Sequence, residues 1–446
     1  MQKRHSPVVL PNKMKSIRYH LPSFFIWLVV FYFLSERSIF RYLHMGAGVD
    51  IGLFENLFYN LVHLGSAVTA LGVDGNTHHY FADHINWFIY PLSLLYYLFP
   101  IIESLLIFQA FVLSLPILII PFYKKEKTYQ WIYPLLYSLF LPIYWIQIFD
   151  FHPEVLWIPL FFLFFYYWIK KSRYWVLYFI LSLLVKEECA LVWIMFSLVL
   201  LRTNQKESLF IGTVSLLYFL FSIFLLSKMQ DSISNFAMPT HWERYKNPIA
   251  ALKDLHLFPY LFLFLNLPFL FLQFKNKLIL CLLPYLFYSI LSSYEVNKTP
   301  FTHHSFIAVP ILVISFIETV ETLKIKTKYL VFITSLLVSF FLFLWFGPLS
   351  KTYSYKREFM NPVLTTEDVI TLRNLLKGKS IVSNIPQYLS NRHQVQLFLS
   401  NKTYSAEYFV FYKFKNQPSP VFVPAGYEWD MEIEKHIQIY KQKKID

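Results

Sequence analysis

Apolar runs of nearly membrane-spanning length punctuate this chain and leave it few ways to fold. Examples are SFFIWLVVFYFLSERSIF from Ser23, IIESLLIFQAFVLSLPILIIPFY from Ile101 and YLVFITSLLVSFFLFLWF from Tyr329. An α-helix needs roughly 20 residues to cross the hydrocarbon of a bilayer. A helix also satisfies its own backbone hydrogen bonds there, which an open strand does not. Composition agrees: of 446 residues, 56% are hydrophobic and only 15% charged, whereas soluble domains carry about a quarter charged residues. The expected class is an all-α polytopic membrane protein.

Net charge is +13, and the basic residues sit in short clusters between apolar segments. That is the pattern of cytoplasmic loops under the positive-inside rule, and it argues against nucleic acid as a partner. Cys189 and Cys281 lie in apolar surroundings without CxxC spacing and read as packing residues. The basic N-terminus precedes an apolar segment too long for a signal-peptide core, so it reads as a cytoplasmic end with an uncleaved anchor.

From a cytoplasmic start, a first span over about Leu21 to Arg41 delivers Asp50 to the outer side. Lys124, Lys125 and Lys127 belong inside, so one net crossing lies between, best placed at Ile101 to Tyr123. The short run INWFIYPLSLLYYLFP then reads as an interfacial or re-entrant segment. QWIYPLLYSLFLPIYWIQIF places Asp150 outside, and Pro153 to Ile169 returns to Lys170, Lys171 and Arg173. The stretch from Tyr174 to Leu201 is basic at both ends. It therefore splits into two short arms with Lys186, Glu187 and Glu188 at the outer tip. Further spans are expected at 209–226, 257–274, 278–294, 307–320 and 329–346. Beyond Pro348 the text reads as a capped amphipathic helix, a glycine stop, a buried strand and another helix, with EYFVFYKF as a second strand. The division is thus 1–347 for the membrane domain and 348–446 for a small extracytoplasmic α/β domain.

Charged residues gather at a few places. In VDIGLFENLFYNLVH and the leucine after it, Leu53, Phe54, Leu57, Phe58, Leu61 and Leu64 share one helical face, with Glu55, Asn56, Tyr59, Asn60 and His63 opposite. This is the pattern of a helix lying in the membrane interface. Asp50 at its start is either a helix cap or a functional carboxylate. In FDFHPEVLW, Asp150, His152 and Glu154 surround Pro153 where a span surfaces. They form either a polar turn or a set able to bind a divalent cation or supply a base. In LLVKEECALVW, Lys186, Glu187 and Glu188 interrupt an apolar stretch, where charges are costly and usually face a cavity or a partner. NTHHYFADH holds His78, His79, Asp83 and His84, and TPFTHHSF holds His303 and His304. None of these spacings reproduces a zinc signature, so hydrogen bonding or phosphate contact is expected of them. THWERY offers Trp242 and Arg244 as a weaker stacking and anion signal.

Together VDIGLFENLFYNLVHLG, ADHINWFIYPLSLLYYLFP, FDFHPEVLWIPLFFLFFYYWIKK, LLVKEECALVW, THHSFIAVP and SIVSNIPQYLSNRHQVQLF resemble a family of prokaryotic multi-pass membrane proteins of unknown function, similar to the GT-C glycosyltransferase superfamily. The resemblance covers about Asp50 to Tyr408. It implies a GT-C-like transmembrane core with amphipathic juxtamembrane helices in the cytoplasmic membrane. It also implies transfer of a sugar from a polyprenyl-phosphate donor to a glycan, lipid or protein acceptor outside the cytoplasm. On this resemblance Asp50 is the candidate base, with Glu55 and Asp150 as further catalytic candidates. His84, His152, Glu154, Lys186, Glu187, Glu188, His303 and His304 are candidates for substrate contact. A divalent cation, Mg or Mn, would fall to Asp50, Asp150, His152 and Glu154. This sequence departs from many GT-C enzymes in having no second acid adjacent to Asp50. The rival readings are a transporter or flippase for a lipid-linked precursor and a non-catalytic assembly protein.

Overall fold

The computed structural model describes residues 12–43, 46–69, 78–123, 131–231, 248–348, 350, 366–376, 378–385, 388–389, 395–397, 406–412, 426–433 and 437–443. Helix α1 (Asn12–Leu43) leads into α2 (Val49–Leu64), a short ribbon β1 (Val68–Thr69) and β2 (His78–His79), and α3 (Ile89–Leu98). Then come α4 (Ile102–Ser114), α5 (Pro116–Ile119), α6 (Ile132–Ser138), α7 (Leu141–Ile148), α8 (Trp157–Ile169), α9 (Trp175–Leu183), α10 (Cys189–Leu200) and α11 (Gln205–Asp231). The remaining helices are α12 (Pro248–Lys253), α13 (Phe258–Asn266), α14 (Leu283–Leu291), α15 (Ala308–Glu321), α16 (Ile325–Phe346) and α17 (Thr366–Leu375).

Among the described residues, five helical segments are long and apolar enough to cross a bilayer: His20–Leu43, Ile102–Phe122, Gln205–Gln230, His303–Glu321 and Ile325–Phe346. Each coincides with an expected span. His303–Glu321 is almost wholly buried inside the protein and forms the centre of the bundle.

Other expected crossings are interrupted, each for a local reason. The run before Asp150 divides into α6 and α7, because Pro142 lacks an N–H and crowds the carbonyl four residues back. The run over 257–274 breaks where Leu270 and Phe271 adopt left-handed backbone, φ 52° and 59°. As expected, Tyr174 to Leu201 forms two arms. Helix α9 has 9 residues, about 14 Å of rise, roughly half the hydrocarbon thickness. Its tip lies against protein. Lys186 and Glu187 are buried within the protein, and Trp87 N–H donates to the Leu184 carbonyl at 3.0 Å.

Helix α2 also differs from the interfacial reading. Glu55, Asn56 and Asn60 on its polar face are buried. Protein groups replace water there: Tyr96 OH on α3 donates to Glu55 Oε1 at 3.3 Å, and Asn60 Nδ2 donates to the Val68 carbonyl at 2.9 Å. Polar spacing alone marks a face with hydrogen-bonding needs, and a protein wall meets them as well as water does.

Beyond the bundle, α17 and the left-handed Gly378 (φ 79°) match the expected helix and glycine stop. Strands β3 (Ile381–Ser383), β4 (Val395–Leu397), β5 (Tyr408–Tyr412), β6 (Tyr427–Ile433) and β7 (Ile437–Gln442) form one mixed sheet, ordered β4-β3-β5-β7-β6. Pairing is parallel across β4, β3 and β5, and antiparallel across β5, β7 and β6. HQVQLFL, read as part of a second helix, instead contributes β4. Residues 391–394 before it lie outside the described residues.

Two large apolar cores organise the molecule. One fills the helical bundle around Trp157, Phe161, Trp193 and Ile311. The other joins Ile51, Phe58 and Tyr96 to Ile381, Val410 and Ile439 of the sheet. Phe151 belongs to the second core and Val155 to the first. The chain therefore passes between them at His152 and Glu154.

Candidate functional site

Helix α1 ends at the site. Arg41 in its last turn donates through a guanidinium nitrogen to Asp150 Oδ1 at 2.8 Å. Both side chains are buried, so the pair compensates charges that would each cost several kcal/mol alone. Asp150 itself has φ 121°, a region that costs a non-glycine residue about 1–3 kcal/mol. Gln109 on α4 holds this turn from behind. Its Nε2 donates to the Asp150 carbonyl at 2.7 Å, while its Oε1 accepts from His152 N–H at 2.6 Å.

Asp50 lies in the first turn of α2, and Gly48, not Asp50, occupies the cap position. Its carboxylate faces His152, with Oδ2 at 3.6 Å from Nε2. His152 Nδ1 lies 3.4 Å from the Asp150 carbonyl. A carbonyl only accepts, so in the neutral ring the proton sits on Nδ1 and a bare Nε2 faces Asp50. Two acceptors in that position can take up one proton and share it. The His303 ring stacks on the His152 ring, with centroids 3.6 Å apart and planes 14° apart, and His304 stands 4.1 Å from His303.

The α9–α10 tip supplies the other wall. Lys186 Nζ lies 3.7 Å from Glu154 Oε1 and 3.6 Å from Glu188 Oε2. Glu187 Oε1 meets His84 Nδ1 at 3.1 Å, and its Oε2 accepts from Ile85 N–H at 3.0 Å. Asp83 lies beside His84, 4.0 Å from its Nε2.

Charge and burial set the protonation of this group. Burial pushes the Asp50 carboxyl up from 3.8 to about 6; His152 opposes the rise, while Asp150, Asp83 and Glu154 add to it. Solvent still reaches 41% of that side chain, so part of its hydration survives. The upward direction is what brings it near neutrality. Asp150 also rises to about 6 through burial, against the lowering influence of Arg41. Burial lowers His152. For His84, burial and Lys186 pull downward, yet Asp83 and Glu187 outweigh them and the net shift is up. Lys186 is likewise pulled down by burial but raised overall by Glu188, Glu154, Glu187 and Asp83. It stays charged.

A family model described as "Predicted membrane protein (DUF2079)" matches residues 41–408. The chain belongs to this family. Every residue of the site, from Arg41 to His304, falls within the matched region of this DUF2079 membrane protein. No curated protein and no solved structure matches the chain.

The fold thus brings together Asp50, Asp150, His152, Glu154, Lys186, Glu187, Glu188, His84, His303 and His304, drawn from five stretches of sequence. Glu55 stands apart on Tyr96. Among the described residues no three His, Cys, Asp or Glu side chains are placed to hold a metal ion. Of the four candidate ligands, Asp50 and His152 stand together, whereas Arg41 engages Asp150 and Lys186 engages Glu154. Trp242 and Arg244 lie outside the described residues. Arg41 and Gln109 are functional neighbours that sequence reading passed over. Gln109 carried a signal, as a lone amide inside an otherwise apolar span. Arg41 had the appearance of an ordinary span end.

Proposed function

We propose that this membrane protein transfers a sugar from a polyprenyl-phosphate donor to an acceptor on the extracytoplasmic face, with Asp50 as the base. The observation that carries the reading is Asp50 itself: a partly solvated carboxylate tuned toward neutrality and set against an imidazole. An acceptor hydroxyl is a poor nucleophile until a positioned base takes its proton. In this scheme the hydroxyl proton passes to the Asp50–His152 pair. The acceptor oxygen then bonds to the anomeric carbon, the bond from that carbon to the donor phosphate oxygen breaks, and polyprenyl phosphate leaves with the electron pair.

The departing phosphate needs positive charge. Lys186 supplies the local field, while Glu154 and Glu188 hold its ammonium in place. His84, raised by Asp83 and Glu187 and partly exposed, adds a second positive group on this wall. Mg or Mn would meet Asp50 and His152 as a pair here, and no step of the scheme passes through a cation.

A transporter would need polar groups continuing across the bundle. Along α15, the buried apolar stretch Ala308–Ile314 separates His303 and His304 from Glu321, which bonds Tyr133 and Lys328 near the other end. That favours chemistry at one face.

The test is analysis of surface glycans and lipid-linked sugars in a host lacking the protein. Wild type is expected to restore the missing glycan, and Asp50→Asn to leave the lipid-linked donor accumulated. Full restoration by Asp50→Asn would reject Asp50 as the base.

A further inference from the structure

The segment that carries Asp50 into the site is held from the far end of the chain. Tyr388, beside the mixed sheet, accepts from Ala47 N–H at 2.7 Å, and its hydroxyl donates back to the Ala47 carbonyl at 3.3 Å. Its ring stacks on Tyr42 at 5.5 Å and 19°, and it is fully buried in the core that α2 shares with the sheet. Arg41 and Tyr42 are consecutive residues of α1. One fixes Asp150 and the other fixes Tyr388.

The described residues of the intervening loop, Gly46, Ala47 and Gly48, are each held. Gly46 N–H donates to the Arg41 carbonyl at 2.9 Å. Ala47 is held by Tyr388, and Gly48 lies so close to Asp150 that a Cβ there would stand 2.7 Å from Oδ2. Asp50 follows two residues later.

From these contacts we infer that Tyr388 is a positioning residue, through which the C-terminal unit sets the place of Asp50. The sheet is then a working part of the site, and the two must be present together. The contact stands on the geometry alone; its catalytic consequence rests on the reading given under Proposed function.

Tyr388→Phe isolates the hydroxyl, because phenylalanine keeps the ring and its stack on Tyr42. The full-length protein in nanodiscs is compared by amide hydrogen exchange. The substitution removes both hydrogen bonds to Ala47, each worth about a fivefold change in local opening, so exchange across residues 46–52 should rise about 25-fold. Exchange across 308–321 should stay unchanged. In the transfer assay kcat should fall about as much while KM for the donor holds, a split that general loosening of the fold does not produce.

Unchanged exchange at 46–52 would overturn the inference whatever the protein's activity. Raised exchange with unaltered kcat, where Asp50→Asn abolishes transfer, would overturn the positioning of Asp50. If Asp50→Asn keeps full activity, the proposed function fails, and the exchange result alone decides whether Tyr388 holds the loop.

Discussion

At the residue scale, the proposed chemistry turns on Asp50, and its neighbours fix the sign of a pH effect. A base must be ionised to act, so transfer should rise with pH through an acid limb near 6, about two units above an ordinary carboxylate. The same proposal has His84 act in its protonated form, which predicts an alkaline limb and a bell-shaped profile of kcat/KM. Asp83 raises both groups. Asp83→Asn should therefore move both limbs to lower pH, and an acid limb that moved upward would contradict the arrangement. The same shift has a stability counterpart of opposite benefit. The folded Asp50 holds its proton more tightly than the unfolded chain does. Between about pH 4 and 6 the unfolded state releases its proton first, and stability declines as pH rises.

At the scale of elements, the joints matter more than the helices. Gly48 has extended backbone, φ −78° and ψ −175°, which alanine adopts without strain. The cost of Gly48→Ala comes instead from its Cβ, 2.7 Å from Oδ2 of the Asp150 carboxylate, whose other oxygen Oδ1 is bonded by Arg41. A destabilisation of about 1–3 kcal/mol is expected, as for other overpacked sites, read by thermal unfolding in detergent. In an Asp150→Ala background the clash is gone, so the same substitution should cost little. Additive effects in that double-mutant cycle would place the cost elsewhere. These joints were also the least legible features. The acids of VDIG, FDFHPE and VKEE stood out because charge is rare in this chain. Their partners did not, since Arg41 resembled a span end and Tyr388 one aromatic among many. Pairings separated by more than a hundred residues, such as Arg41 with Asp150, leave no local periodicity. Helix α2 shows the complementary failure, because a polar face says that hydrogen bonds are needed and not what supplies them.

At the scale of the whole molecule, hydropathy gave the long spans and charge gave the grouping of loops, since both depend only on composition along a segment. Hydropathy did not give the breaks at Leu139 and Leu270 or the depth of Lys186, which depend on tertiary packing. The proposed orientation rests on the basic loops. In it Arg173, between α8 and α9 beside Lys170 and Lys171, faces the cytoplasm, and Leu64, at the exposed end of α2, shares the outer side with Asp50. Both native cysteines are buried, so an introduced thiol reports with little background. In intact cells, a membrane-impermeant maleimide should label Leu64→Cys and spare Arg173→Cys until the membrane is opened. With α9 counted as the fourth crossing after 101–123, 131–149 and 153–169, an even number separates the α9–α10 tip from Asp50. Glu188→Cys at that tip, where the side chain is 24% exposed, should then label with Leu64→Cys. Labelling of Arg173→Cys alone in intact cells would invert the scheme. It would also place the whole acidic site in the cytoplasm, away from any donor displayed on the outer leaflet.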